Sequence, residues 1–591
     1  MRVNISRRNI GINFTETGEA DIVIWSPLAK NVEVITDDGE KVSLDVHESG
    51  YWKGVSGKVK PGTRYKIAID ENKPLPDPAS LSQPSDVHGS SSAVDLNKFT
   101  WTDTSWKNIP LQQYIIYELH TGTFSAHNNF DGIISKLDYL LDLGITAIEI
   151  MPVGQFPGNR NWGYDGVYPF AVHESYGGAE ALQRLVNTCH EKGIAVILDV
   201  IYNHIGPEGN YLPQFGPYFT EKYKTPWGQA LNFDDAYCDG VREYFIENAL
   251  MWFRDFHIDA LRMDAVHAIK DLSPVHLMKE IREHVDALEQ QTGNSHYLIA
   301  ELDLNDPVYI NPFNKCGYGA NGQWIDEFHH ALRVASGEKP EGYYSDFNGV
   351  AHLSKSYNEA YVYDGQFSAH RKKIFGRKTD NPGHQFVVFS QNHDHTGNRM
   401  LGERTSTLVS FDMCKLMAAA VLLSPYVPML FMGEEWAETN PFLYFISHTD
   451  KELAALVNKG RKEEFSYFNW LGEPPDPRLE ETFTSSMLQW NLQQKEPHAS
   501  MLSYYKNLIA FRKTQPALNN TDRNQTRAEA DEKNKLLKLE RWSDEQHLEC
   551  YMNFSNSQQP LKWPDAKIIF NSSDTVAENM ISAESIIIFQ T

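Results

Sequence analysis

The sequence predicts a multidomain protein in which a (β/α)8 TIM barrel follows an N-terminal β-sandwich and precedes a small C-terminal β-domain. Three observations support this prediction. Eight short apolar runs alternate with helix-like segments between residues 115 and 432. The chain before about residue 105 and after about residue 520 shows mainly strand-like runs. Finally, a chain of 591 residues is too long for a single hydrophobic core.

Composition and charge limit the kinds of molecule that this protein is expected to bind. Hydrophobic residues make up 41% and charged residues 22% of the chain, as is typical of globular proteins. The net charge of −24 argues against nucleic acid and anionic membranes as partners. Five cysteines without C-x-x-C spacing favour reduced thiols, and there is neither a signal segment nor an apolar run of membrane-spanning length. We therefore expect a cytoplasmic protein with no nucleic-acid or membrane partner.

Residues 1–105 are expected to form the β-sandwich. Their short alternating runs are separated by turn signals such as Asp37-Asp38-Gly39 and Lys60-Pro61-Gly62. Stretches rich in proline and serine, at 74–78 and 89–92, have the composition of a linker that ends the domain. The pattern is equally consistent with a structural module and with a sugar-binding one.

The barrel is expected to span residues 106–520, with insertions near 204–237 and 437–500. Its predicted strands are the apolar runs 115–120, 147–153, 195–202, 260–266, 297–302, 323–326, 386–390 and 427–432. Apolar residues at helical spacing predict helices near 133–141, 178–193, 241–256, 274–290 and 502–513. Strand-like runs return after 520, so residues 521–591 are expected to form the C-terminal β-domain.

Acidic residues stand at the ends of three predicted strands. Asp264 follows Arg262 by two residues, so both side chains point to the same face of strand four. Glu301 ends strand five, and Asp394 follows strand seven. Because the carboxyl ends of barrel strands form the active face, these carboxylates are expected to meet there. A buried Arg–Asp pair alone is at least as often structural, and it is the three acidic strand ends together that favour chemistry.

Carboxyl groups in different protonation states suit glycoside hydrolysis with retention of configuration. We predict Asp264 as the nucleophile, because Arg262 should lower its pKa. Glu301 is predicted as the general acid, because burial and nearby negative charge should raise its pKa. Retention requires these two groups about 5–5.5 Å apart. Asp394 would bind sugar hydroxyls and stabilise the oxocarbenium-like transition state.

Three histidines are candidates for substrate binding. His204 and His393 would form hydrogen bonds with hydroxyls of the reacting sugar, and His267 would reach the leaving-group side. For each, the alternative is a structural histidine at a strand end. Asn203 and His204 offer possible metal ligands, but no clustered carboxylate loop accompanies them. We therefore expect neither a metal nor a cofactor.

The motif Asn161-Trp162-Gly163-Tyr164-Asp165-Gly166 lies just after the second strand. Tyr164 could stack under the reacting sugar while Asp165 orients it. The alternative is a turn that packs an aromatic ring.

Four blocks of the sequence resemble those of the α-amylase family of glycoside hydrolases. They are Asp199-Val200-Ile201-Tyr202-Asn203-His204, Leu261-Arg262-Met263-Asp264-Ala265-Val266, Ile299-Ala300-Glu301 and Asn392-His393-Asp394. Their order and spacing fit that family. The resemblance implies Asp264 as nucleophile, Glu301 as acid/base and Asp394 as transition-state stabiliser, the same roles that the physical argument predicts.

Within that family, further stretches are similar to enzymes that act on maltooligosyl trehalose, namely 161–167, 203–212, 225–228, 245–250, 264–269 and 326–332. This resemblance implies hydrolysis of the α-1,4 bond next to the trehalose end. It also implies a functional partner, maltooligosyltrehalose synthase, that makes the substrate. The α,α-1,1 link turns the terminal glucose away from the path of an α-1,4 chain. The residues predicted to recognise it are Asp326, Glu327, His329 and His330.

The sequence departs from the family pattern at a few positions. His395 and Thr396 stand where Gln and Val are expected, and Leu302 is a less usual neighbour of Glu301. The first alternative function is that of an α-glucan branching enzyme, which transfers rather than hydrolyses. The second is an inactive carbohydrate-binding protein on the same barrel. Loss of one carboxylate would indicate that protein, and all three are present.

Overall fold

The computed structural model describes residues 3–465, 473–573 and 577–591. Eight strands form a closed barrel, and separate sheets lie outside it at the N-terminal and C-terminal ends of the chain. The predicted multidomain architecture with a TIM barrel is thereby confirmed. The exact domain boundaries at 105 and 520 stay predictions. Residues 466–472, within the predicted insertion 437–500, lie outside the described residues.

The N-terminal region contains two four-stranded antiparallel sheets. One is formed by Gly11–Phe14, Ala20–Trp25, Tyr51–Ser56 and Asp45–Val46, and the other by Lys41–Ser43, Val32–Thr36, Arg64–Ile69 and Ser91–Ser92. Alternating side chains such as Ile22, Val34 and Ile67 are fully buried. The first sheet contacts the barrel, since the Ser26 hydroxyl donates to the Phe215 carbonyl at 2.7 Å.

The barrel strands are numbered β1 to β8 in chain order. They are β1 (Ile116–Leu119), β2 (Ala147–Ile150), β3 (Ala195–Val200), β4 (Ala260–Met263), β5 (Tyr297–Ala300), β6 (Gly322–Trp324), β7 (Phe386–Phe389) and β8 (Val427–Phe431). Each pairs in parallel with its neighbours, and β8 closes on β1. Seven of the eight lie within the predicted runs, and β6 begins one residue before its run. Strands covered by helices outside and packed side chains inside form nearly continuous apolar sequence, which makes them recognisable.

Helices surround the barrel. The longer ones are Gly178–Glu191, Cys238–Asp255, Leu277–Thr292, Asp326–Ala335, Gly349–Glu359, Phe411–Leu422 and His498–Thr514. Between β1 and β2 lie Phe130–Ile134 and Leu137–Leu143. The second of these ends at Gly144, whose φ of 100° is a left-handed conformation that glycine adopts without strain.

Segments between the strands build up the carboxyl end of the barrel. After β3, strands Phe219–Thr225 and Gly228–Leu231 form a hairpin within the predicted insertion 204–237. A second hairpin, Asp364–Ser368 with Lys373–Gly376, lies between β6 and β7. The helix Lys451–Phe465 lies in the later insertion. These segments supply the upper walls of the site described below.

The C-terminal region is a five-stranded antiparallel sheet with a small two-stranded one. The larger sheet is ordered Thr526–Asp531, Leu536–Trp542, His547–Asn553, Ser585–Gln590 and Lys567–Asn571, and the smaller pairs Gln559–Pro560 with Met580–Ile581. Buried Arg541 donates to the Leu423 carbonyl at 2.6 Å and so links this sheet to the barrel. Among the described residues, none of the helices has the length and apolar character needed to cross a membrane.

A buried ionic cluster lies at the amino end of the barrel. His190 contacts Asp103 and Asp259 through its two ring nitrogens, each 2.8 Å from a carboxylate oxygen. Burial lowers the pKa of His190, but Asp259 and Asp103 outweigh burial and raise it to about 9. The resulting imidazolium joins the segment before β1 to the start of β4.

Candidate active site

The two central carboxylates follow neighbouring strands at the same level. Met263 of β4 is paired with Ala300 of β5, and Asp264 and Glu301 come directly after them. Between them Ala265 adopts a left-handed conformation with φ of 38°, which is uncommon for a residue with a side chain. This turn directs the Ala265 amide to Glu301, whose Oε2 accepts from it at 2.5 Å.

A single arginine contacts both groups. Arg262 is fully buried, and its Nη1 lies 2.9 Å from Asp264 Oδ1 and 2.8 Å from Asp199 Oδ2. Its Nη2 is 3.8 Å from Glu301 Oε2. The guanidinium also lies over the Trp324 ring, 4.4 Å from its centroid. The cation is thus held on several sides, and it is closer to Asp264 than to Glu301.

The two carboxyl groups have opposite pKa shifts. Burial raises the pKa of Asp264, but Arg262, His204 and a hydrogen bond from Asn203 more than reverse this and lower it. Burial raises the pKa of Glu301 well above its ordinary value, Arg262 opposes that rise, and the charge of Asp264 adds to it. At neutral pH this arrangement gives one ionised carboxylate beside one carboxylic acid.

Asp394 borders the same space from the other side. It lies in the short helix His393–Gly397 after β7, and its side chain is 42% exposed. Its Oδ1 is 3.4 Å from His393 Nε2 and accepts from Asn398 Nδ2 at 3.3 Å. Being open to solvent and weakly bonded, this carboxylate is available to an incoming hydroxyl group.

Hydrogen bonds across the floor of the barrel fix Tyr164 and His393. The Tyr164 hydroxyl donates to Asp199 Oδ2 and contacts His393 Nε2, both at 2.7 Å. His393 Nδ1 contacts Glu118 Oε1 at 2.5 Å. Burial lowers the pKa of His393, but Asp394 and Glu118 raise it to about 9. His393 is therefore an imidazolium that donates to both Tyr164 and Glu118.

His204, in the loop after β3, and Asp165, in the segment between β2 and β3, lie on one wall of the site. His204 Nδ1 contacts Asn203 Oδ1, its Nε2 is 3.0 Å from the Tyr164 carbonyl, and its ring lies parallel to Trp227 at 4.6 Å. Asp165 accepts from Asn161 at 2.6 Å and faces His448 at 3.7 Å. Protein contacts thus occupy the polar atoms of His204, so that Trp227 is the more exposed surface of this pair.

A cavity of about 250 Å³ opens beside Asp394 and below the hairpin Asp364–Ser368/Lys373–Gly376. Its wall includes Asp303, Asp326, Glu327, His330, Tyr343, Arg371 and His395. Arg371, at the turn of the hairpin, donates to Asp303 at 2.9 Å and packs on Phe375. The cavity is a half-open space with polar and apolar walls, and its lining does not include Tyr164 or His393 of the floor.

His329 does not reach this cavity, and its prediction as a substrate-binding residue is not supported by its position. It is only 2% exposed, and its two ring nitrogens contact the Ser390 carbonyl and the Tyr344 hydroxyl. On the helix Asp326–Ala335 the next residue, His330, faces the cavity instead. His267 is half-buried near Asp264 and Asp303, and burial lowers its pKa.

Comparison with known proteins identifies the family. The α-amylase catalytic-domain model matches residues 102–227. The malto-oligosyltrehalose trehalohydrolase of Saccharolobus solfataricus is 45% identical over 83% of this chain and 84% of its own length. The chain belongs to the malto-oligosyltrehalose trehalohydrolase family. The enzyme of that name from Rhizobium sp. (strain M-11) is 39% identical over 95% of each chain.

Solved structures agree with this family membership. The crystal structure of a Salmonella typhimurium protein described as an α-amylase superposes with a TM-score of 0.92 at 33% identity, covering 99% of this chain and 100% of that one. The α-amylase model match ends at residue 227, before Asp264, Glu301 and Asp394. Roles for these three carboxylates in this trehalohydrolase-family chain therefore rest on their geometry.

Some residues that complete the site were not assigned a role from the sequence. Glu118 and Asp199 are single acidic residues inside otherwise apolar strands, a pattern that could have revealed them. Trp324, under the guanidinium of Arg262, gives no comparable signal, because a tryptophan in a buried strand is common. Trp227 and Arg371 are carried by hairpins whose position the sequence pattern does not specify.

Proposed function

We propose that this chain is a retaining glycoside hydrolase that cleaves the α-1,4 bond next to the trehalose end of maltooligosyl trehalose and releases trehalose. One observation carries the chemistry. Arg262 lies 2.9 Å from Asp264 and 3.8 Å from Glu301, which favours an ionised nucleophile beside a protonated acid. The substrate is supported by the family, whose members are named for hydrolysis that releases trehalose.

The reaction would proceed in two displacements at one carbon. An Asp264 oxygen attacks the anomeric carbon while the bond to the leaving oxygen breaks, and Glu301 gives its proton to that oxygen. A water molecule then donates a proton to Glu301, and the oxygen of that water displaces Asp264 from the sugar. Asp394 would accept hydrogen bonds from hydroxyls of the distorted sugar. His393 and Tyr164 would lie below the ring of that sugar.

The leaving group would occupy the cavity beside Asp394. A trehalose end is bent by its α,α-1,1 link, so a pocket to one side with several polar groups suits it better than a straight groove. Asp303, Asp326 and Arg371 supply acceptors and donors for its hydroxyls. This assignment retains the sequence-based proposals for Asp326 and His330 and omits His329.

A product assay tests the proposal. Purified protein would be offered maltotriosyl trehalose and maltopentaose side by side, with products followed by NMR or chromatography. Free trehalose from the first, with little action on the second, is expected. Comparable cleavage of both would instead indicate a general α-glucan hydrolase, and longer or branched products would indicate a branching enzyme. No turnover of either would favour the inactive carbohydrate-binding protein.

The partner synthase and the cytoplasmic location stay predictions. A maltooligosyltrehalose synthase would have to supply the substrate, because only an α,α-1,1-linked end distinguishes it from an ordinary maltooligosaccharide. The cytoplasmic location rests on the sequence argument from cysteine usage. Co-incubation with such a synthase and a maltooligosaccharide should yield free trehalose, whereas this chain alone should yield none.

A further inference from the structure

Three imidazole rings meet at the wall of the leaving-group cavity. His329 and His330 are consecutive on the helix Asp326–Ala335, and His395 comes from the short helix after β7. One ring nitrogen from each lies within 4.8 Å of the others. Asp326 adds a carboxylate, since its Oδ1 is 3.3 Å from His395 Nε2. Imidazoles with a carboxylate form a ligand set typical of zinc and related dications.

His329 fixes the orientation of His395 rather than acting as a ligand. The two rings are stacked at 3.9 Å with an angle of 5° between their planes. The lone pairs of stacked imidazoles lie in parallel planes and cannot both point at one ion. The nitrogens of His329 are, in addition, bonded to the Ser390 carbonyl and the Tyr344 hydroxyl. Such outer contacts orient the ligands in natural metal sites.

Asp326 and His395 have the separation of two ligand atoms, and His330 has a ring nitrogen without a partner among the described residues. In a tetrahedral zinc site with bonds near 2.0–2.1 Å, neighbouring ligand atoms are about 3.3–3.4 Å apart. The distance from Asp326 to His395 is 3.3 Å. Within the described part of the chain, His330 Nδ1 is buried without a hydrogen-bond partner. This nitrogen is therefore available to a ligand that enters the cavity.

We propose that His330, His395 and Asp326 bind a divalent transition-metal ion such as Zn²⁺, and that the bound ion blocks the leaving-group cavity and inhibits the enzyme. Binding would displace the proton between His395 Nε2 and Asp326 to solvent or to Nδ1 of the same ring. The blocking effect rests on the proposed function, because it assumes that the leaving group enters this cavity. Binding itself does not depend on that assumption.

His395 is the proposed ligand that comes from outside the helix Asp326–Ala335. The family resemblance implies Gln at this position, and a Gln side chain offers an amide in place of an imidazole nitrogen. The substitution His395→Gln therefore removes one ligand while keeping a polar side chain of a type that the fold is expected to accept. His330→Gln removes the second imidazole independently.

The test measures metal binding directly. Untagged full-length protein, treated with EDTA and desalted, would be titrated with ZnCl2 by calorimetry and with Co²⁺ while recording the visible bands of a tetrahedral complex. Wild type should bind one ion per chain, and His395→Gln and His330→Gln should each weaken binding at least about tenfold. His47→Gln, at an exposed position of the N-terminal sheets, is the matched control and should bind as wild type does. Circular dichroism would check that each variant is folded.

The outcomes separate the two proposals. Absence of stoichiometric binding by wild type, or binding that survives both substitutions, would overturn the metal site. If the ion binds, Zn²⁺ should raise KM for maltotriosyl trehalose, and EDTA should reverse the effect. Binding without any change in KM would overturn the blocking role while leaving the site. If trehalose release is absent with and without metal, the proposed function fails and the binding result still stands.

Discussion

Replacing Glu301 with Gln should remove a proton donor with little change in shape. The Glu301 side chain is 15% exposed, accepts the Ala265 amide at 2.5 Å and lies 3.8 Å from Arg262. The amide oxygen of Gln can accept the same hydrogen bond, so the turn after Asp264 should persist. What Glu301→Gln loses is the proton that the leaving oxygen needs.

The size of the loss follows from that role. General acid catalysis typically contributes about 10²–10⁴ in rate, or about 3–5 kcal/mol of activation free energy. Hydrolysis of maltooligosyl trehalose by Glu301→Gln should fall by that factor. Asp264→Asn should lose at least as much, because it removes the nucleophile and also the carboxylate that Arg262 Nη1 contacts at 2.9 Å.

A substrate with a fluoride leaving group separates the two roles. Fluoride departs from an α-maltosyl fluoride without protonation, so Glu301→Gln should still form the covalent intermediate. It should release a burst of about one fluoride per enzyme and then slow, because Glu301 is also needed to activate water. Asp264→Asn should give no burst. A burst from Asp264→Asn and none from Glu301→Gln would refute the assignment.

Three further predictions concern the pH dependence of hydrolysis, the pH dependence of folding stability, and the hydroxyl group of Tyr164. The rate of hydrolysis should be bell-shaped against pH, falling at low pH as Asp264 is protonated and at high pH as Glu301 ionises. Because fluoride leaves without protonation, the fluoride burst of the wild type should keep the low-pH fall and lack the high-pH fall. Folding should lose about 3 kcal/mol as pH rises through about 9, because the pKa of His190 rises from 6.5 to about 9 on folding and this stabilisation is complete only below pH 6.5. Urea unfolding across pH should show this slope in wild type and a flatter one in His190→Gln. Tyr164→Phe removes a hydroxyl that bonds a carboxylate and an imidazole at 2.7 Å each, so unfolding free energy should fall by about 1–3 kcal/mol and kcat should fall with it. Unchanged kcat in Tyr164→Phe would contradict its place beside the reacting sugar.

Much of the fold could be predicted because barrel strands are buried on both faces. A run such as Ala195–Val200 is apolar at nearly every position, because neither face of the strand meets water. The helices between the strands show apolar residues at the usual helical spacing. The hairpin Asp364–Ser368/Lys373–Gly376 was not predicted. Its apolar residues Phe367 and Ile374 are 65% and 72% exposed while the buried Ser368 is polar, so burial did not give it an alternating apolar pattern.

The strand pattern of the sequence predicted only those site residues that lie at the ends of barrel strands. Asp264 and Glu301 follow paired residues of adjacent strands, and register alone brings them together. The leaving-group wall is different, because helix and hairpin residues distant in sequence form it. The resemblance of the stretch after β6 suggested both His329 and His330, which are consecutive in the sequence. Only packing distinguishes the histidine stacked behind His395 from the one facing the cavity.

The division of roles between the two carboxyl groups follows from a shortage of positive charge in the barrel floor. Glu118, Asp199, Asp264 and Glu301 are acids of this region. Among the described residues, the cations within 4 Å of them are Arg262 and the imidazolium of His393. Glu118 pairs with His393 at 2.5 Å, and Asp264 pairs with Arg262 at 2.9 Å. Glu301, at 3.8 Å from Arg262, is the third carboxylate near a cation that already contacts Asp199 and Asp264, and burial makes a further negative charge costly. It therefore keeps its proton at neutral pH, and this proton is the one that a leaving oxygen requires.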